Sequence, residues 1–171
     1  MNTIALNETL CRDTIVRNYF GGVHASDQLP LQVDKYPKAY VVNVDASDQP
    51  GSHWTAFYFA SSKRGEFFDS LGQNPEIYTS SFVSFLERNC SQWTYNQRTL
   101  QSAFSKVCGQ FCIYYLVYRC RKFEMSVITN KFTKNLLNND YLVAEFVSKH
   151  FSAYKPRNAG QIASAKYAKR V

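Results

Sequence analysis

The stretch Cys108–Arg121 (CGQFCIYYLVYRCR) constrains the fold more than any other part of the chain. It is apolar on nearly every side, with Phe111, Ile113, Tyr115, Leu116 and Val117 spread around the turn. That pattern predicts a helix enclosed by other elements, not one lying on a surface with a single buried stripe. Arg119, Arg121 and Lys122 gather at its C-terminal end, where positive charge complements the helix dipole. A helix of this kind needs a shell, and 171 residues with 45% hydrophobic and 16% aromatic content can supply one.

The shell is predicted to be a sheet with further helices. Thr3–Tyr19 reads as a helix with apolar Ile4, Leu6, Leu10, Ile15 and Val16. Gly21 and Gly22 break it, and the chain through Pro37 reads as irregular. Ala39–Val44 (AYVVNV) is β-branched and almost wholly apolar, as expected of a strand covered on both faces. His53–Ala60 and Glu66–Asp69 read as two strands joined by the polar SSKRG turn. Pro75 leads into an amphipathic helix over Ile77–Arg88, Trp93–Thr99 reads as a strand, and a last helix is expected from Asn138 to Phe151. The predicted class is α+β: a small, mostly antiparallel or mixed sheet, a central buried helix, and flanking helices in one domain over 1–171. Residues 155–171 are read as a basic, mobile tail.

Composition excludes several roles. No apolar run is long enough to span a bilayer, and Met1–Asp13 has no apolar leader segment, so a protein that is neither secreted nor membrane-bound is expected. The five cysteines (Cys11, Cys90, Cys108, Cys112, Cys120) are odd in number and lack the spacing of a disulfide framework. Without a C-x-x-C pair, and with three scattered histidines, no metal site is expected. Charge is uneven: Met1–Val107 carries nine Lys/Arg against ten Asp/Glu, Cys108–Val171 eleven against three, a net +8. Such asymmetry suits non-specific contact with a polyanion such as DNA, or simply a solvated face.

Four residue types then fall into a chemical pattern. A cysteine entering a helix meets unpaired N–H groups and the positive dipole end, which stabilise its thiolate; Cys108 is so placed, although a Cys opening an apolar helix is also an ordinary core residue. Gly109 follows it and would let a substrate backbone approach. His53, at the edge of a turn-rich loop and a strand, is the candidate base, with His24 and His150 on less constrained segments. Trp54 beside it would wall a cleft. The hairpin brings Asp69 opposite His53 or within about two residues of it, where a carboxylate orients the imidazole. Gln101 is the candidate amide donor to a developing oxyanion, with Gln92, Gln97 and Gln110 as competitors.

Taken in order, HW at 53–54, Asp69 in FFDSLG, Gln101, and CG at 108–109 resemble the adenain family of adenovirus-type cysteine endopeptidases, and more distantly the Ulp-type proteases of SUMO and ubiquitin-like proteins. The histidine precedes the acid by 16 residues and Gln101 precedes Cys108 by seven. The segment GVHASDQLP resembles the adenain-like proteases of Polinton/Maverick elements and adintoviruses more than those of true adenoviruses. The resemblance implies a papain-like or Ulp-like fold with Cys108 as nucleophile, His53 as base, Asp69 as its orienter and Gln101 as oxyanion donor. Asp69 departs from the Glu of many adenovirus enzymes and matches the Ulp branch.

The same resemblance implies a monomeric protease that cuts capsid or core precursors after small residues, often Gly, in the virion and the host nucleus or cytoplasm. It also implies an activating viral peptide, held by a disulfide at Cys90, eleven residues before Gln101, and stimulation by DNA. No metal or small-molecule cofactor is implied. Two other readings stay open: deconjugation after the Gly-Gly of ubiquitin-like proteins, and a basic nucleic-acid-binding protein without catalysis.

Overall fold

Period-two alternation along the middle strands sets the architecture. In a computed structural model that describes residues 1–152, five strands form one sheet in chain order: β1 (Phe20–His24), β2 (Lys38–Asn43), β3 (Trp54–Ser61), β4 (Arg64–Phe68) and β5 (Gln92–Tyr95). β2–β3 and β3–β4 are antiparallel, whereas β1–β2 and β4–β5 are parallel, so the sheet is mixed rather than mostly antiparallel. The expected tail at 155–171 lies outside the described residues.

Successive side chains on the strands serve two cores. Ala39, Val41, Ala56, Tyr58 and Phe68 face α1 (Thr3–Arg12), α3 (Cys108–Cys120) and α5 (Leu136–Ser152). Tyr40, Val42, Phe57, Phe59 and Phe67 face Phe82, Phe85 and Leu86 of α2 (Ser80–Asn89). The sheet is thus covered on both sides, as the apolar run of β2 requires. Eleven of the thirteen residues of α3 are buried, and the Tyr115 ring stacks on Phe68 with centroids 4.4 Å apart. The pattern of 108–121 therefore forms the enclosed helix expected of it. Cutting a wholly buried ring such as Phe111 to Ala would cost about 3–5 kcal/mol.

Elsewhere the boundaries differ, for local reasons. The first helix stops at Arg12 rather than running to Tyr19, because the Asp13 carboxylate accepts the N–H groups of Ile15 and Val16, both at 2.9 Å, and starts a separate 3-10 turn at Val16–Asn18. The segment read as irregular contains β1; Gly21 is tolerated in this strand because the Tyr40 ring lies where its Cβ would be. A 3-10 turn at Pro75–Ile77 precedes α2, which starts only at Ser80 behind a Thr79 cap. β5 ends at Tyr95, and the short α4 (Met125–Thr129) had no sequence signal strong enough to predict it.

Candidate active site

β3 enters the sheet directly after His53, β4 leaves it directly before Asp69, and α3 opens on Cys108. The register pairs Ala56 with Phe68, so Asp69 falls two residues from the position opposite His53. The ring closes that gap: His53 Nε2 lies 2.6 Å from Asp69 Oδ1. With Nε2 committed to the carboxylate, Nδ1 is the ring nitrogen left for Cys108, and each of the two side chains shifts the other's pKa. Cys108, His53 and Asp69 therefore form one continuous array.

Asp69 is wholly buried, and four donors meet its carboxylate. Oδ1 accepts from His53 and the Leu71 N–H (3.0 Å); Oδ2 accepts from the Gln73 N–H (3.0 Å) and the Tyr78 hydroxyl (2.9 Å). Its backbone is held as well: Asn96 Oδ1 accepts the Asp69 N–H at 2.9 Å, and Asn96 Nδ2 donates to the Asp69 carbonyl at 2.6 Å. The turn behind it requires glycine at 72, where φ is +72° and a Cβ would stand 2.5 Å from the Arg98 carbonyl carbon. These contacts give FFDSLG a physical role, which is to hold one carboxylate under one imidazole.

The electrostatics follow from this packing. Burial alone raises the Asp69 pKa, but its hydrogen bond to His53, the imidazolium charge and two backbone N–H donors hold it below the usual carboxylate range. Burial pulls His53 down, yet Asp69 and Cys108 together raise it to about 9. Burial pushes the Cys108 thiol up, while His53 and the Trp54 and Gly109 backbone N–H groups bring it below its ordinary value. No side chain caps the N-terminus of α3, so no side-chain acceptor competes for its first-turn N–H groups and the positive dipole end beside the sulfur is not neutralised. Cys112, one turn later, is raised well above the ordinary thiol value by complete burial, and its thiol donates to the Trp54 carbonyl at 3.4 Å.

Gln101 is buried on the segment that leads to Cys108. Its orientation is fixed by Ser70, whose hydroxyl donates to Oε1 at 2.6 Å, so Nε2 is the end that donates to the Ser105 carbonyl at 3.0 Å. Ser70 also accepts the Leu100 and Gln101 N–H groups on its own carbonyl, tying the amide to the residue after Asp69. Trp54 is partly exposed and donates from Nε1 to the Met1 carbonyl at 3.0 Å. Around Gly109 the nearest atoms to an added Cβ belong to Leu6, Met1 and Trp54, so its bare backbone lets α3 approach the N-terminal segment closely. Cys90 is buried at the end of α2; its thiol donates to Leu86 at 3.2 Å, sits close to Gly65, and is raised in pKa by burial.

Tyr78 and Asn96 are the site residues that sequence reasoning missed. Tyr78 also stacks against His53, with centroids 6.0 Å apart. A buried carboxylate needs several donors, which was the available signal, but nothing local singles out residues 9 and 27 positions downstream. His24 and His150 are not brought in: His24 Nε2 contacts the Gly21 carbonyl and His150 contacts Asp13. Among the described residues no cluster of three or more His, Cys, Asp or Glu is placed to hold a metal, and no helix is long and apolar enough to cross a membrane.

Two of the cations of the basic C-terminal third are held in ion pairs. Arg119 is buried on Glu66 and Arg121 pairs with Asp13, while Lys155, Arg157, Lys166, Lys169 and Arg170 lie outside the described residues. No family model matches the chain, and no curated protein matches it.

Proposed function

We propose that the chain is a cysteine endopeptidase in which Cys108 attacks a peptide carbonyl. The observation that carries this reading is the buried Asp69–His53–Cys108 array, in which the thiol is lowered and the imidazole raised, shifts that both favour a thiolate–imidazolium pair. The thiolate adds to the carbonyl carbon; the Cys108 N–H and the Gln101 amide receive the oxyanion; His53 gives its proton to the leaving amine. Water, deprotonated by the same imidazole, then releases the acyl group and regenerates the thiol. Asp69 stays ionised throughout and holds the ring.

The ordered motif and this geometry support an adenain-like enzyme with a papain-like or Ulp-like arrangement, one that matures capsid or core precursors by cutting after small residues. Trp54, partly exposed beside His53, would narrow the cleft for them. A peptide cofactor at Cys90 would require that thiol to turn out from beneath Gly65. Non-specific DNA contact would rest largely on the C-terminal basic residues.

The test uses two fluorogenic probes, a peptide with Gly before the cut and a ubiquitin-like conjugate. Cleavage of the peptide, lost in Cys108→Ala, is expected. Activity confined to the conjugate would replace maturation with deconjugation, and a Cys108 that alkylates no faster at about pH 6 than a free thiol of pKa about 8.5 would overturn the mechanism.

A further inference from the structure

Phe104 is 99% exposed, the most exposed large apolar side chain among the described residues. A lone surface phenylalanine needs no explanation. This one differs in its mounting. It rides a turn closed by the Ser105 N–H on the Ser102 carbonyl at 3.2 Å, with the Ser105 hydroxyl on the same oxygen at 3.3 Å. Ser102 is fastened to α5 by its N–H and hydroxyl, which both donate to the Asp140 carboxylate. Gln101 Nε2 holds the Ser105 carbonyl from the other side. Asp140 and Gln101 are themselves buried.

The backbone on both sides of Phe104 is thus fixed by buried polar groups while the ring projects into water. Ordering a turn costs on the order of 1 kcal/mol per residue, and the ring returns nothing to the core for it. Its place in the chain says what would cover it: Phe104 stands three residues after Gln101 and four before Cys108, between the two groups that would hold the substrate carbonyl.

We propose that Phe104 is a specificity-determining residue whose ring packs against an apolar side chain of the bound polypeptide, within a few residues of the scissile bond. An extended substrate with its carbonyl at Gln101 and Cys108 carries its neighbouring side chains past this turn at the strand repeat of about 3.3 Å per residue. An apolar ring there rewards Leu, Met or Phe in the substrate and offers nothing to a charged side chain. The inference rests on the proteolysis reading above and adds a substrate class to it.

The experiment is cleavage of a peptide library by the wild-type protein, Phe104→Ala and Leu31→Ala, the last removing another exposed apolar side chain (72%) remote from Gln101 and Cys108 in sequence. At one substrate position, the kcat/KM ratio of apolar over Gly peptides should fall about tenfold in Phe104→Ala, the scale of one hydrophobic contact in a pocket. In Leu31→Ala it should stay at the wild-type value. Equal iodoacetamide rates at Cys108 and equal melting temperatures would show that the variants keep the fold and the thiol. A ratio unchanged at every position, or the same change in Leu31→Ala, overturns the role of Phe104 alone. A wild-type protein that cleaves no peptide overturns the proteolysis reading, and this inference with it.

Discussion

β4 and the residue after it place two buried carboxylates three positions apart, and both reach α3. Asp69 meets His53 and, through it, Cys108 at the head of the helix. Glu66 meets Tyr115 and Arg119 further along: Arg119 Nε and Nη2 donate to its two oxygens at 2.7 and 2.9 Å, and the Tyr115 hydroxyl donates at 2.5 Å. The guanidinium also lies over the Tyr58 ring, 4.5 Å from its centroid. The two sites share a buried acid and differ in its partner. Arginine never gives up its proton, so the Glu66 site can only hold β4 to α3. An imidazole can release its proton, so the Asp69 site can hold and also transfer.

Breaking the comparison at its chemical end has the largest effect. Asp69→Asn keeps the shape but removes the charge that fixes and stabilises the imidazolium; peptide turnover should fall about 10⁴-fold, measured as kcat with the fold checked by circular dichroism. Breaking the other end tests stability instead. Arg119→Met leaves Glu66 buried without its cation and should cost about 3–5 kcal/mol in urea unfolding, whereas the double change Glu66→Gln/Arg119→Met should recover much of that loss. Turnover per folded molecule should be unaffected by either; a large drop would mean that the two networks are coupled.

The pH dependence sharpens the same contrast. Cys108 loses its proton below the ordinary thiol range, and His53 keeps its own until about 9. The ion pair therefore begins to form at a lower pH than a free thiol ionises and lasts until about 9, so iodoacetamide reactivity of Cys108 should set in below the pH at which a free thiol's does. In His53→Ala the onset of reactivity should move up toward the ordinary thiol value, read as rate against pH. The smaller perturbation is Tyr78→Phe, which removes one of four donors to Asp69 and should lower kcat by several-fold, about 1 kcal/mol. At the far end of α3, Lys122 sits at φ +69° in a conformation that favours glycine; Lys122→Gly should raise stability by about 0.5–1 kcal/mol in the same unfolding assay.

The parts of this arrangement legible in the sequence were those written in a single segment. The all-round apolar pattern of 108–121 predicted a buried helix, and the hairpin predicted Asp69 within about two residues of His53, which is where the register puts it. What was not legible depends on segments meeting. β1 hides behind a Gly-Gly pair and is a strand through its parallel pairing with β2, where the Tyr40 ring leaves no room for a Cβ at Gly21. The first helix ends early because one side chain, Asp13, competes for backbone donors. Tyr78 and Asn96 are ordinary residues until Asp69 is buried between them. Gln101 could not be separated from its neighbouring glutamines by composition; what distinguishes it in the structure is the Ser70 hydroxyl that fixes its amide.

The near-complete enclosure of α3 has a consequence for damage and ageing. Local opening is easiest where few apolar contacts must be broken, and the helix that begins with Cys108 has contacts on every side. Its first turn has little freedom to fray without disturbing the core around it. Exposure of the remaining α3 thiols, Cys112 and Cys120, to oxidants should therefore follow unfolding of the whole domain, whereas Cys11, exposed on α1, is open to them in the native molecule.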